Sequence, residues 1–174
     1  MKTLILCGLQ SSGKSTVGKK LSEVLQREFI DTDDLIEKLY VKLYGAPLRC
    51  REISQKEGES FFRSLERKAI LTLIGGSYVI ATGGGVLQDP ENVKHLQSLG
   101  ILVFLKTPLS ILWERIILKG IPSYLDQKNP KESFYDIAYK RIPIYENACH
   151  HTIECNNQSA EEILNTIIKK YGKQ

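Results

Sequence analysis

Apolar positions along the chain fall into short dense runs, separated by longer stretches in which they recur every three or four residues. The runs are Thr3–Cys7, Glu28–Asp31, Tyr78–Thr82, Ile101–Leu105 and His151–Glu154. Each is short and mostly apolar, which predicts strands covered by helices on both faces. Between them, Val17, Leu21, Val24 and Leu25 share one face of a first helix, and Leu35, Ile36, Leu39, Tyr40 and Leu43 one face of a second. Phe61, Phe62, Leu65, Ala69, Ile70, Leu73 and Ile74 form a wide stripe on a third. The last helix opens with a capping box, Ser159 followed by Glu162, and turns Ile163, Leu164, Ile167, Ile168 and Tyr171 inward. Strands alternating with helices predict an α/β domain around a parallel sheet.

The 174 residues fit one domain with a substantial core, and no repeat, low-complexity tract or linker divides them. One segment breaks the pattern. Lys119–Ser133 holds two prolines, a glycine and many polar side chains without an apolar period. It is too long for a simple connection, so a mobile lid is predicted over a featureless surface loop.

Composition narrows the function classes. A content of 42% hydrophobic and 25% charged residues is that of an ordinary globular protein. No apolar run approaches the ~18–20 residues that span a bilayer, so no membrane partner is expected. Gly8 and Gln10 interrupt the apolar run after Met1, which argues against a signal peptide and for the cytoplasm. The net charge of +4 suits an anionic ligand. Its basic residues are dispersed, and small groups such as Lys38, Lys42, Arg49 and Arg51 read as solvated helix faces, which argues against nucleic acid. Cys7, Cys50, Cys149 and Cys155 have no disulfide-framework spacing, and Cys149, His150, His151 and Cys155 lack the spacing of a zinc knuckle.

The strongest chemical signal is Gly8-Leu9-Gln10-Ser11-Ser12-Gly13-Lys14-Ser15-Thr16, which matches G-x-x-x-x-G-K-[ST] after an apolar strand and before an amphipathic helix. In such a loop, glycines let backbone N–H groups wrap phosphate oxygens, and the helix N-terminus adds its dipole. Lys14 is then expected on the β- and γ-phosphates of ATP and the Ser15 hydroxyl on Mg²⁺. The second strand ends in Asp31-Thr32-Asp33-Asp34. On an extended backbone Asp31 and Asp33 share a side, so one is placed to hold hydrated Mg²⁺ and the other to orient or deprotonate an acceptor hydroxyl. Asp34 fits the competing role of helix N-cap better. Glu59, Arg63 and Glu66 lie at helical spacing off the third stripe, where an arginine is ordinarily a solvated charge. Gly83, Gly84 and Gly85 close an apolar strand and permit close backbone approach to a ligand; a plain tight turn seldom needs three glycines.

Taken in order, GLQSSGKST, FIDTD-x-x-IE, GE-x-x-FR-x-x-E, ATGGG and R-x-P-x-Y-x-x-A resemble the shikimate kinase family, from residue 3 to about 170. The resemblance implies a nucleoside-monophosphate-kinase-like P-loop NTPase fold: a five-stranded parallel sheet flanked by helices. A substrate-binding helical region is implied at about 33–62, and the lid at about 119–133. It implies that Gly8, Ser11, Ser12, Gly13, Lys14, Ser15, Thr16 and Arg115 serve ATP, with Ser15 and Asp31 near Mg²⁺. Asp33 would hold the shikimate ring hydroxyls and act as base, Arg63 and Arg141 would clamp its carboxylate, and Gly83, Gly84 and Gly85 would line its other side. A monomeric cytoplasmic enzyme making shikimate 3-phosphate is expected.

Two positions depart from the family pattern. Family lids normally read R-P-L-L, and Ile121 stands at that arginine's position, with Lys119 two residues away as a substitute cation. Ser11 stands where glycine is common. A kinase for another small hydroxy acid or a nucleotide, and a non-catalytic domain binding ATP or shikimate, are the rival readings. Two arginines matched to a carboxylate clamp oppose the nucleotide, and the joint presence of Lys14, Ser15, Asp31, Asp33, Arg63 and Arg141 opposes loss of catalysis.

Overall fold

The computed structural model describes residues 2–156 and 158–172. The chain runs β1 (Thr3–Cys7), α1 (Lys14–Leu25), β2 (Glu28–Asp31), α2 (Thr32–Tyr44), α3 (Cys50–Glu57), α4 (Glu59–Leu71) and β3 (Tyr78–Ala81). After a 3₁₀ turn at Val86–Gln88 it continues α5 (Pro90–Leu99), β4 (Gly100–Lys106), α6 (Leu109–Lys119), α7 (Pro130–Ala148), β5 (His151–Glu154) and α8 (Ala160–Tyr171).

The five strands form one parallel sheet in the order β2-β3-β1-β4-β5. β1 is central and wholly buried, and its side chains alternate between two cores. Ile5 and Cys7 join Ile80, Phe104, Leu112 and Tyr145 on one face. Leu4 and Leu6 join Val17, Leu21, Val103 and Ile167 on the other. The chain leaves β1 toward β2 and later returns past it from β3 to β4, so the crevice for ligands opens at the C-terminal ends of β1 and β3.

A third, smaller core joins Ile36 and Tyr40 of α2, Ile53 of α3, and Phe62, Leu65 and Ala69 of α4. Ile53 is the one residue α3 buries, and its burial supplies about 1.5–3 kcal/mol toward holding that short helix in place. These three helices form a wall beside the crevice.

Three local expectations are corrected. β2 stops at Asp31 and α2 starts at Thr32, so Asp33 lies in the first helical turn and not on extended backbone. Asp31, not Asp34, is the N-cap: its Oδ1 accepts from the Asp33 N–H at 3.0 Å. The non-helical lid is confined to residues 120–129, because Lys119 ends α6 and Pro130 opens α7. Helices α3, α5, α6 and α7 add to the four read from apolar periodicity. α7 carries Pro143 in its interior and buries only Phe134, Ala138, Tyr145 and Ala148 along 19 residues, a stripe too thin to stand out.

Candidate active site

The loop after β1 turns sharply enough to need special backbone at three positions. Gly8 has φ 152°, and a Cβ there would lie 2.8 Å from Ser12 Oγ and 2.9 Å from the Leu105 carbonyl. Ser11 has φ 64°, the left-handed conformation that glycine adopts without strain. That accounts for the departure at this position: serine keeps the turn at a cost of about 1–3 kcal/mol. Gly13 precedes α1 with φ 93°.

Lys14 is buried at the head of α1. Its Nζ donates to the Leu9 carbonyl at 2.8 Å and to Ser12 Oγ at 3.4 Å, inside the loop itself. Burial lowers its pKa to about 8, a shift the nearby Asp33 charge opposes and the Lys119 charge reinforces. Lys119, exposed in the last turn of α6, is near enough for its charge to reach Lys14. Ser15 Oγ donates to Asp31 Oδ2 at 2.7 Å, joining the helix after β1 to the end of β2. This pair offers hard oxygen donors, the chemistry that suits Mg²⁺. Arg115 donates from Nη1 to the Ser11 carbonyl at 3.1 Å, which brings α6 against the loop. Thr16 is exposed in the first turn of α1.

A second group of residues gathers at the glycine loop after β3. The Gly83 N–H donates to Thr32 Oγ1 at 2.8 Å, tying the loop to α2. A Cβ at Gly83 would come within 2.6 Å of Asp33 Oδ1, and one at Gly85 within 2.5 Å of Arg63 Nη1. The glycines therefore let the carboxylate and the guanidinium lie against bare backbone. Arg141 approaches from α7 and donates from Nη1 to the Gly84 carbonyl at 3.0 Å; its buried Nε has no partner. Asp33 keeps contact with solvent through the cleft, yet crowding by protein and the adjacent Asp31 charge push its carboxyl up to about 6.

Sequence reasoning gave no role to several residues that the structure brings into the site. Glu66 is 3% exposed and accepts from Arg63 Nη1 at 2.8 and 3.0 Å, while Glu59 accepts from Arg63 Nε at 2.7 Å. Burial raises the Glu66 carboxyl above its usual range against the opposing Arg63 and Arg141 charges. The Arg63–Glu66 spacing of three was visible, but a carboxylate on a helix is expected to be solvated. Tyr145 donates to the same Gly84 carbonyl as Arg141, and Tyr124 of the lid donates to Gln10 Oε1. Cys50 lies against Asp33, with Sγ 3.5 Å from its carbonyl, and burial pushes its thiol up and holds it neutral.

The parallel sheet, its order, and the glycine-lysine loop between its central strand and first helix define a P-loop NTPase fold. A family model described as shikimate kinase matches residues 10–171. The shikimate kinase of Clostridium botulinum strain 657 is 41% identical over 175 residues, covering 99% of this chain and 98% of the relative. That of Caldanaerobacter subterraneus subsp. tengcongensis is 34% identical over 174 residues, with 99% and 98% covered. The solved shikimate kinase from Acinetobacter baumannii in complex with shikimate superposes with a TM-score of 0.88 at 32% identity, covering 99% of this chain and 94% of that one. The chain belongs to the shikimate kinase family.

Proposed function

We propose that this chain is a single kinase domain that transfers the γ-phosphoryl group of ATP to shikimate, giving shikimate 3-phosphate for aromatic amino-acid biosynthesis. The observation that carries this reading is the meeting of Arg63, Arg141 and Asp33 on one glycine loop, beside Lys14 of the phosphate loop. Two cations suit one carboxylate, and a carboxyl tuned to about 6 suits removal of a hydroxyl proton near neutral pH.

The roles follow from the geometry. Backbone N–H groups from Gly8 to Thr16 and the N-terminus of α1 cradle the phosphates, and Arg115 borders the nucleotide. Lys14 exchanges its carbonyl and hydroxyl acceptors within the loop for phosphate oxygens. Ser15 and Asp31 would hold Mg²⁺, which when bound would neutralise charge on the phosphates. Arg63 and Arg141 anchor the shikimate carboxylate, with Arg63 aimed by Glu59 and Glu66. Gly83, Gly84 and Gly85 leave room for the ring.

Asp33 accepts the proton of the attacking hydroxyl. That oxygen bonds to the γ-phosphorus as the bond to the β–γ bridging oxygen breaks, and ADP leaves with the electron pair. No described helix is long and apolar enough to cross a membrane. A monomeric enzyme acting in the cytoplasm is part of the proposal.

A coupled ADP-release assay with ATP-Mg²⁺ tests the reading against shikimate, other small hydroxy acids and nucleoside monophosphates. Turnover with shikimate at least a hundredfold above the others is expected. Preference for another acceptor, or ADP release indifferent to shikimate, overturns it.

A further inference from the structure

Gln10 sits where three parts of the site meet. It belongs to the phosphate loop, and Gly84 crosses its backbone so closely that a Cβ on Gly84 would lie 3.2 Å from the Gln10 nitrogen. Gly84 is fixed from its other side by Arg141 and Tyr145, which both donate to its carbonyl. The side chain of Gln10 reaches the lid, where its Oε1 accepts from the Tyr124 hydroxyl, 114 residues along the chain.

Tyr124 is well placed to carry a signal. Its neighbour Leu125 is buried in the core that also holds Leu112, Ile116 and Phe134, so the lid is anchored one residue from the contact. Tyr124 is 51% exposed, and the Arg63 and Arg141 charges reach its hydroxyl. Burial raises its pKa, which those charges only partly oppose, so the group remains a proton donor at neutral pH.

We propose that Gln10 and Tyr124 form a clasp that ties the lid to the phosphate loop beside the Gly84–Arg141 contact, making both of them positioning residues for binding of the acceptor. A phosphate loop tightens its backbone around its ligand. A lid bonded to a side chain of that loop moves with it, and the backbone of the same residue meets Gly84, whose carbonyl accepts from Arg141 of the acceptor site. The clasp joins two uncharged groups, so it acts whether or not nucleotide is bound. An arginine on the lid, by contrast, needs phosphate to hold it down. The acceptor's identity rests on the shikimate kinase reading; the clasp itself does not.

The test has two arms. In ligand-free protein, amide hydrogen exchange of residues 120–129 is compared among the wild type, Tyr124→Phe, Gln10→Met and the double variant. Each single change should speed lid exchange about three- to tenfold, the worth of one neutral hydrogen bond, and the double should add nothing further. Lid exchange unchanged in either single variant, or additive in the double, overturns the clasp. In turnover, Tyr124→Phe should raise KM for shikimate about three- to tenfold with kcat held within about twofold. A KM that stays put while lid exchange accelerates overturns the coupling to the acceptor site. Absence of shikimate turnover in the wild type strikes the kinase reading instead, and the exchange arm still decides the clasp. Unchanged exchange elsewhere in the sheet guards against a variant that merely loosens the fold.

Discussion

The pH dependence of turnover is set by two groups whose environments push them toward each other. Asp33 moves up from 3.8 to about 6 through burial and the Asp31 charge, and Lys14 moves down from 10.5 to about 8 through burial. In the proposed mechanism Asp33 acts ionised and Lys14 protonated. The profile of kcat/KM for ATP, which reports the form without nucleotide, should therefore be a bell with limbs near 6 and 8. At pH 5, one unit below the folded value, about one Asp33 in eleven is ionised, so kcat/KM should sit about tenfold below its plateau. An ordinary aspartate would remain over about 90% ionised there and would show almost no loss. Carbon-13 NMR of the Asp33 carboxyl in ligand-free protein gives the same constant without kinetics, and Asp31→Asn should lower it by removing the second cause. The stability sign is opposite to the catalytic one. Because the folded pKa lies above that of the unfolded chain, the unfolded chain ionises first, and stability falls as pH rises from about 4 to about 6. Asp33→Asn should thus raise Tm at pH 7 and leave it unchanged near pH 3. An acid limb below 4.5, or a carboxyl titrating near 4, refutes the reasoning.

Arg63→Ala and Arg141→Ala should each raise KM for shikimate about ten- to hundredfold, from about 1.5–3 kcal/mol per charge-assisted bond, with ATP affinity unchanged; calorimetric titration showing equal losses for both ligands counts against the clamp. Gly85→Ala puts a Cβ 2.5 Å from Arg63 Nη1, so it should raise the same KM about three- to tenfold while far-ultraviolet circular dichroism stays that of the wild type. The Lys119 charge reaches Lys14, so Lys119→Ala should slow single-turnover phosphoryl transfer about a hundredfold, and Ile121→Arg should give little gain; a silent Lys119→Ala with a faster Ile121→Arg reverses that assignment.

What the sequence made legible was what local chemistry encodes. The phosphate loop is nine consecutive residues, and its strand–loop–helix setting follows from the apolar pattern on either side. Arg63 stood out because it is polar beside a broad apolar stripe, and the three glycines because ordinary turns do without them. Asp31 and Asp33 were read onto one face of a strand. The structure brings both to the cleft by another route, in which the first caps the helix that begins with the second's own turn. Competition between strand and cap at FIDTD is decided by a single hydrogen bond, which the pattern does not record. Other parts were hidden for physical reasons. Glu66 is buried and paired with Arg63, and Gln10 meets Tyr124, only through tertiary packing. α7 escaped notice because its thin stripe and interior proline imitate a loop.

Leu125 divides the ten-residue lid into two short spans, since its side chain is 2% exposed in the main core. The entropy a loop loses on closing grows with the logarithm of its free length, and each halving of that length saves roughly 0.6 kcal/mol. The spans on either side of this pivot already have half of their search done before any ligand arrives. Closure of such a lid would then be a rotation about a fixed point and not a collapse of a floppy strap. A pivoted flap also keeps its path when side chains along it change, which gives the segment from Gly120 to Tyr124 freedom to exchange one way of gripping the phosphate loop for another.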